Sequence, residues 1–207
     1  MEEVRLCLGT CCHQQLRPKV KRYVVPLGVG RHLVSWGIPA ESITECDWWD
    51  GVAVEGLTLT FTPSRHFSGR GLTDRAKSLW GGWVLASATE KIWFSGDGGY
   101  GSHFLTIGER LGPFDFAFME CGQYNEMWRP MHMFPEESVH AAIEAKARVI
   151  MPIHWGAFTL AQHTWREPVE LFCAEAERLS VPLVLPRLGE LISWPFPTDL
   201  PRWWREV

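Results

Sequence analysis

The sequence has no long apolar run, no basic excess and few cysteines for its length. No apolar stretch in the 207 residues approaches the roughly 20 needed to span a bilayer. The net charge of −4 lacks the basic balance that is typical of nucleic-acid-binding proteins. Six cysteines are too sparse for a disulfide scaffold, and adjacent Cys11 and Cys12 lack zinc-knuckle spacing, which favours reduced thiols. The acidic start, Met1-Glu2-Glu3, is unlike a secretory signal. These absences predict one soluble, cytoplasmic domain without a nucleic-acid partner.

Tryptophan, by contrast, is abundant, with 12 residues in the chain. One interpretation is a core filled with large aromatic side chains. The other is an apolar substrate groove or a peripheral contact with a membrane surface. We favour the core, because tryptophan is usually well buried even when one edge stays in contact with water.

Apolar and β-branched patterns predict a layered α/β protein. Residues 52–54 and 57–62 flank Glu55-Gly56 and predict a β-hairpin. Helical periodicity and terminal signals predict helices at 31–36, 135–147 and 167–179. Further strands are expected at 22–26, 83–86, 91–94, 114–119, 148–153, 181–185 and 191–194. Hairpins followed by strand–helix–strand units indicate sheets covered by helices. Residues 1–20 show no interpretable pattern.

Three of these apolar runs lead into a residue of a type that binds metals: His66, Asp97 and His154. Imidazole nitrogen and carboxylate oxygen are common zinc donors. Taken singly, each has an ordinary interpretation, such as an exposed histidine or an Asp-Gly turn. Because strand ends in layered α/β folds share one rim, three such residues in the same topological position indicate a metal site.

Five segments carry a longer pattern: Thr62-Pro-Ser-Arg-His-Phe-Ser, Phe94-Ser-Gly-Asp-Gly-Gly-Tyr, Gly112-Pro-Phe-Asp, Met131-His-Met-Phe-Pro-Glu-Glu-Ser-Val and Met151-Pro-Ile-His-Trp-Gly-Ala-Phe. In order and spacing they resemble the metallo-β-lactamase-fold hydrolases, in particular the branch of phospholipase D that hydrolyses N-acyl-phosphatidylethanolamine. The resemblance implies an αββα sandwich over residues 21–196, with 197–207 as a tail. It also implies a two-zinc site and hydrolysis of a phosphodiester or related ester in a small-molecule or phospholipid-like substrate.

The resemblance also implies roles for individual residues. His66 matches a ligand of the first zinc, Asp97 the catalytic carboxylate that bridges both metals, and His154 a ligand of the second zinc. His132 matches a pocket histidine that orients the phosphate or protonates the leaving group, which would make it catalytic. An ordinary loop histidine beside a helix start is an equal alternative for His132.

One motif of that family has no match in this sequence, the His-x-His-x-Asp-His cluster that supplies ligands to both metals. Three ligands cannot complete two zinc sites, so we expect one zinc or none. We therefore expect either an impaired phosphodiesterase-like hydrolase without the N-terminal part of its fold or, alternatively, a non-catalytic truncated remnant that acts as a binding module. A missing sheet would also leave apolar surface uncovered and favour self-association.

Overall fold

The computed structural model describes residues 18–69, 71, 73–157, 160–193, 196 and 202–206. The strands in this part of the chain are β1 Tyr23–Pro26, β2 Ile43–Cys46, β3 Gly51–Val54, β4 Leu57–Pro63, β5 Gly81–Ala86, β6 Lys91–Phe94, β7 Phe116–Glu120 and β8 Ile150–Ile153. The helices are α1 Gly30–Ser35, α2 His103–Arg110, α3 Pro135–Glu144 and α4 Glu167–Arg178. Three short 3-10 helices cover Ala40–Ser42, Glu126–Trp128 and Trp203–Arg205.

A six-stranded sheet in the order β3-β4-β5-β6-β7-β8 organises the fold. Its first four strands are antiparallel neighbours, whereas β6, β7 and β8 run parallel. The predicted hairpin is confirmed: Val54 pairs with Leu57, and the turn residues Glu55 and Gly56 have φ of 47° and 84°. Positive φ at both turn residues is typical of the tight hairpin turns that match strand twist. β1 and β2 form a separate parallel pair.

The main core lies between this sheet and the helices that follow its strands. Trp93 from β6 stacks on Phe114 and contacts Phe104 of α2 edge-on. The sheet side of the core continues through β7 and β8, and the helix side through apolar residues of α3 and α4. Trp93 and Trp204 are fully buried, which supports the core interpretation for these two tryptophans. The burial of this apolar surface is the main favourable contribution to folding.

Among the strands and α-helices of the described residues, two were not predicted from the sequence, α2 and β2. Gly108 lies within α2 and would ordinarily weaken a helix. A methyl group at this position would lie 2.3 Å from the carbonyl oxygen of Glu144. The glycine therefore allows α2 to pack directly on the end of α3, and this tertiary contact outweighs its poor helix propensity.

The predicted strands at 181–185 and 191–194 are wrong for the described residues. Leu183 forms only an isolated bridge with Ile150, and residues 191–193 have no regular structure. Pro182 lies within the first of these segments and Pro186 directly follows it, and neither has the N–H group that a ladder requires. The segment therefore touches the sheet edge without extending it.

The described cysteines Cys46, Cys121 and Cys173 are free and buried, which confirms reduced thiols for these three. Cys7, Cys11 and Cys12 lie outside the described residues. Among the described residues, none of the helices is both long enough and apolar enough to cross a membrane.

The Glu170 carboxylate of α4 makes several contacts with the C-terminal turn. Glu170 accepts hydrogen bonds from Trp204 Nε1 at 2.8 Å and from Arg205 Nε at 2.7 Å. The Arg205 guanidinium and the Trp204 indole lower the pKa of Glu170 from 4.5 to about 2. Trp204 also contacts Trp155, the residue after His154. This contact connects the C-terminal turn to the end of β8.

The segments after β7 and β8 approach each other at Gly122. A Cβ on Gly122 would lie 1.8 Å from the carbonyl oxygen of His154. No side chain fits at this distance. The close approach therefore fixes the distance between the chain after β7 and the chain after β8.

We expect Glu170→Gln to lower stability near neutral pH by about 1 kcal/mol, because a partly exposed, charge-assisted pair is lost. A carboxyl with a lowered folded pKa stabilises fully above its unfolded pKa and loses this effect as pH falls. The difference between wild type and variant should therefore shrink between pH 4.5 and about 2. Thermal unfolding followed across this range measures it. A difference that does not change with pH would contradict the ionic contribution.

We expect Gly122→Ala to destabilise the protein by about 1–3 kcal/mol or more, because the backbone must move to admit a methyl group. The matched control is Gly51→Ala, where the nearest atoms to the new Cβ are side-chain atoms 3.8 Å away. Urea unfolding of both variants provides the comparison. Equal stability of the two variants would show that the backbone at His154 yields without cost.

Candidate functional site

Strand direction brings the polar ends of four strands to one edge of the sheet. β6, β7 and β8 are parallel, so their carboxyl ends lie at the same edge. β4 is antiparallel to β5, which is antiparallel to β6, so β4 also ends at this edge. His66 follows β4, Asp97 follows β6, Glu120 ends β7 and His154 follows β8. The edge therefore collects two imidazoles and two carboxylates from distant parts of the sequence.

His154 lies between two carboxylates. Its Nε2 is 3.5 Å from Asp97 Oδ2, and its Nδ1 is 3.6 Å from Glu120 Oε1. The Glu120 carboxylate first, and then Asp97, raise the pKa of His154 against the opposing effect of burial. The backbone of His154 is left-handed, with φ of 66°, which is uncommon for a residue with a side chain. Such strained backbone is frequent at functional sites and here turns the chain directly after β8.

Glu120 is fully buried, and its carboxylate has polar partners on both oxygens. Oε1 lies 2.8 Å from His132 Nδ1, and Oε2 accepts the backbone N–H of Met133 at 3.3 Å. The backbone of Glu120 is held as well, because its carbonyl accepts the Ser138 hydroxyl and its N–H donates to the Ser95 hydroxyl. The buried carboxylate therefore ties β7 to the segment that leads into α3 and positions His132.

His66 lies beside the cluster formed by Asp97, Glu120, His132 and His154. Its Nδ1 lies 2.8 Å from the carbonyl oxygen of Phe67. A carbonyl only accepts hydrogen bonds, so this nitrogen carries the proton and Nε2 keeps its lone pair. The His66 ring lies 5.3 Å from that of His132, which stacks on His154 at 5.5 Å. The three imidazoles are therefore neighbours.

The loops that carry His66 and Asp97 are connected through backbone contacts. Gly99 N–H donates to the carbonyl of Arg65 at 2.9 Å, and this hydrogen bond joins the two loops. The loop before His66 is also held by Trp80, the residue before β5, whose Nε1 donates to the carbonyl of Ser64 at 3.1 Å. A Cβ at Gly99 would lie 2.3 Å from the carbonyl oxygen of Arg129. This glycine therefore lets the loop after Asp97 approach the segment before His132.

All four residues expected at the site, His66, Asp97, His132 and His154, lie in or beside one cluster. Glu120 was missed, although the sequence contained a signal: the apolar strand 116–119 ends in a carboxylate at the same topological position as the other three donors. In the described part of the chain, donor atoms of Glu120, His132 and His154 all lie within 4.8 Å of one another.

The donor set fits a divalent cation. Zinc–ligand bonds of about 2.0–2.1 Å in a tetrahedron place two donor atoms about 3.4 Å apart. The 3.5 Å between His154 Nε2 and Asp97 Oδ2 is close to that separation and longer than a usual hydrogen bond. His66 Nε2 is the remaining imidazole donor at this edge, but it lies outside the group of three donors within 4.8 Å of one another. The nearby carboxylates of Asp97 and Glu120 also favour a cation, since they bring negative charge beside the imidazoles.

The sequence matches a family model described as the beta-lactamase superfamily domain over residues 8–155. An uncharacterized protein of Mycobacterium tuberculosis is 42% identical over 186 residues, which cover 88% of this chain and 50% of the relative. An N-acyl-phosphatidylethanolamine-hydrolyzing phospholipase D of Caenorhabditis elegans is 34% identical over 155 residues, which cover 70% of this chain and 43% of that protein. The chain thus spans about half the length of the curated relatives it matches.

The fold has a counterpart among solved structures. Igni18, a metallo hydrolase from the archaeon Ignicoccus hospitalis, superposes with a TM-score of 0.69 at 17% identity and covers 86% of this chain and 71% of its own. At this identity the likeness concerns the fold. Together with the match to the family model, it shows that the chain belongs to the beta-lactamase superfamily and has the α/β architecture of the metallo-β-lactamase fold.

Proposed function

We propose that this protein is a metal-dependent hydrolase that cleaves a phosphodiester or related ester, with His66, Asp97 and His154 as ligands of one divalent ion. The observation that carries the proposal is the 3.5 Å separation between His154 Nε2 and Asp97 Oδ2 at the carboxyl edge of the sheet. Three protein ligands with one open position are typical of catalytic zinc sites, and zinc is the ion we propose.

The metal, when bound, supplies Lewis-acid polarisation of the phosphoryl group and a nucleophile at neutral pH. His132 is the proposed group for substrate orientation and proton transfer. Its Nδ1 faces the Glu120 carboxylate, so Nε2 on the opposite edge of the ring is left for a substrate oxygen. When it is doubly protonated, a histidine in this position can donate its Nε2 proton to a leaving alkoxide or hydrogen-bond to a phosphoryl oxygen.

The ester class of the substrate rests on the relative that is named a phospholipase D. A phospholipid-like or other small phosphodiester is the corresponding proposal for this chain. The exposed side chains of Met127 and Leu160 are large and apolar, and Trp128 lies 6.5 Å from the His132 ring. Apolar side chains in this part of the molecule are compatible with a substrate that has a lipid portion.

The second candidate is a binding module without catalysis. The number of ligands favours it, because three protein ligands suffice for one metal ion and hydrolases that use a metal pair rely on two cations to stabilise the entering and leaving oxygens. Metal content and activity, measured separately on the same preparation, distinguish the two candidates.

We expect the purified chain to bind one zinc, and His154→Ala to weaken zinc binding at least about 100-fold, since loss of a ligand should cost no less than loss of its outer partners. Asp97→Ala should have the same effect. His140→Ala is the matched control, because His140 pairs with Glu175 on α4. Competition with a chromogenic chelator gives the affinities. Unchanged affinity in both ligand variants would contradict the assignment.

We expect zinc-dependent hydrolysis of bis(p-nitrophenyl) phosphate or of N-acyl-phosphatidylethanolamine, with kcat reduced about 10²–10⁴-fold in His132→Ala. Zinc content should stay at the wild-type level in this variant. The His140→Ala protein again serves as the control. A wild-type protein that holds one zinc and hydrolyses neither ester would favour the binding module over the hydrolase.

A further inference from the structure

In the function proposed above, the buried carboxylate of Glu120 enters only as the group that Nδ1 of His132 faces. Its side chain is completely inaccessible to solvent. A buried charge is costly unless hydrogen bonds compensate for the lost water. In the structure this compensation comes from His132 Nδ1, from the backbone N–H of Met133 and, at longer distance, from His154 Nδ1.

One oxygen atom of Glu120 faces both histidine rings. Oε1 lies 2.8 Å from His132 Nδ1 and 3.6 Å from His154 Nδ1. The two rings are nearly parallel, with an interplanar angle of 12°. An ionised carboxylate only accepts hydrogen bonds, so it favours a proton on each nitrogen that faces it. At His132 the other nitrogen of the neutral imidazole, Nε2, then keeps its lone pair. At His154 the Asp97 carboxylate, 3.5 Å from Nε2, opposes this preference.

We propose that Glu120 is a positioning residue that holds His132 in the Nδ1–H tautomer and presents the same acceptor oxygen to Nδ1 of His154, so that both Nε2 atoms are directed away from the protein interior. The partial exposure of the rings agrees with this: 17% of the His132 side chain and 34% of the His154 side chain are accessible, whereas Glu120 lies behind them. On the Nε2 edge of His154 lies Asp97. One buried group thus prepares a metal ligand and a substrate-binding histidine together.

The assignment of roles to the two Nε2 atoms rests on the proposed function, but the tautomer does not. An alternative use of the same residues is direct ligation, with Glu120, His132 and His154 around one cation. That arrangement requires the Glu120–His132 hydrogen bond to break. It also takes no account of Asp97, which lies at the ligand-to-ligand distance from His154.

The test is the tautomer state of each histidine in the metal-free protein. Long-range ¹H–¹⁵N spectra, recorded at a pH well above the histidine pKa values, distinguish Nδ1–H from Nε2–H rings. We expect the Nδ1–H form for His132 in the wild type. For His154, which has a carboxylate on each edge, we expect a mixture of the Nδ1–H and Nε2–H forms. In Glu120→Leu, His132 should shift toward a mixture of tautomers because its acceptor is gone. His154 should shift toward the Nε2–H form, because only the Asp97 carboxylate remains beside it. A change in only one ring, or in neither, would overturn the shared role.

Two further variants separate positioning from general disruption. Glu120→Gln keeps the volume and an acceptor oxygen, so the folded protein should retain the Nδ1–H form at His132. This variant also provides the readout if Glu120→Leu does not fold. Glu175→Gln is the matched control, because Glu175 is a second nearly buried glutamate paired with a histidine, His140 Nε2, at 2.9 Å. It should alter the His140 signals and leave His132 and His154 unchanged.

Zinc titration of the same variants separates failure of this inference from failure of the proposed function. We expect Glu120→Leu to weaken zinc binding about 10–100-fold, as loss of an outer partner does, and His132→Ala to leave it unchanged. A wild type that binds no zinc refutes the proposed function and leaves the tautomer result standing. Loss of zinc in Glu120→Leu and in His132→Ala, as complete as in His154→Ala, would show direct ligation and refute positioning.

Discussion

The direction of four strands decides where the functional groups of this protein lie. β4, β6, β7 and β8 all end at the same edge of the six-stranded sheet. A residue placed directly after any of these strands is therefore held near the others by the sheet hydrogen bonds. The sheet is rigid, so the loops need to contribute only the last few ångströms of positioning. The cluster of imidazoles and carboxylates depends on this constraint.

Local backbone features complete the placement. The chain after β7 touches the chain after β8 at Gly122, where no side chain would fit. The loop after Asp97 is joined by a backbone hydrogen bond to the loop before His66. These contacts are made by backbone atoms, so they hold the loops together without using the side chains that the site needs. As a result, the donor atoms of Asp97 and His154 are already close before any ion binds.

Charge gives the cluster its chemical character. Asp97 is partly exposed and Glu120 is fully buried, and His154 lies between them. Two carboxylates beside three imidazoles stabilise a bound positive charge, which is either a proton or a metal cation. The Asp97 carboxylate and Nε2 of His154 form the part of the cluster that a ligand can reach. The buried Glu120 carboxylate forms the part that orients the imidazole rings of His132 and His154.

The sequence alone determined most strands, the helices α3 and α4, and three of the residues at the sheet edge, because local periodicity and strand ends are encoded by neighbouring residues. It did not reveal α2, which depends on the fit of Gly108 against α3, and it overextended the segment after α4 into strands. Glu120 was missed for a related reason. A glutamate at the end of an apolar strand has many ordinary uses, and only the tertiary structure brought two histidines from distant segments to its one oxygen. The sequence pattern specified the helices and strands. The tertiary structure decided which polar residues lie close enough to act together.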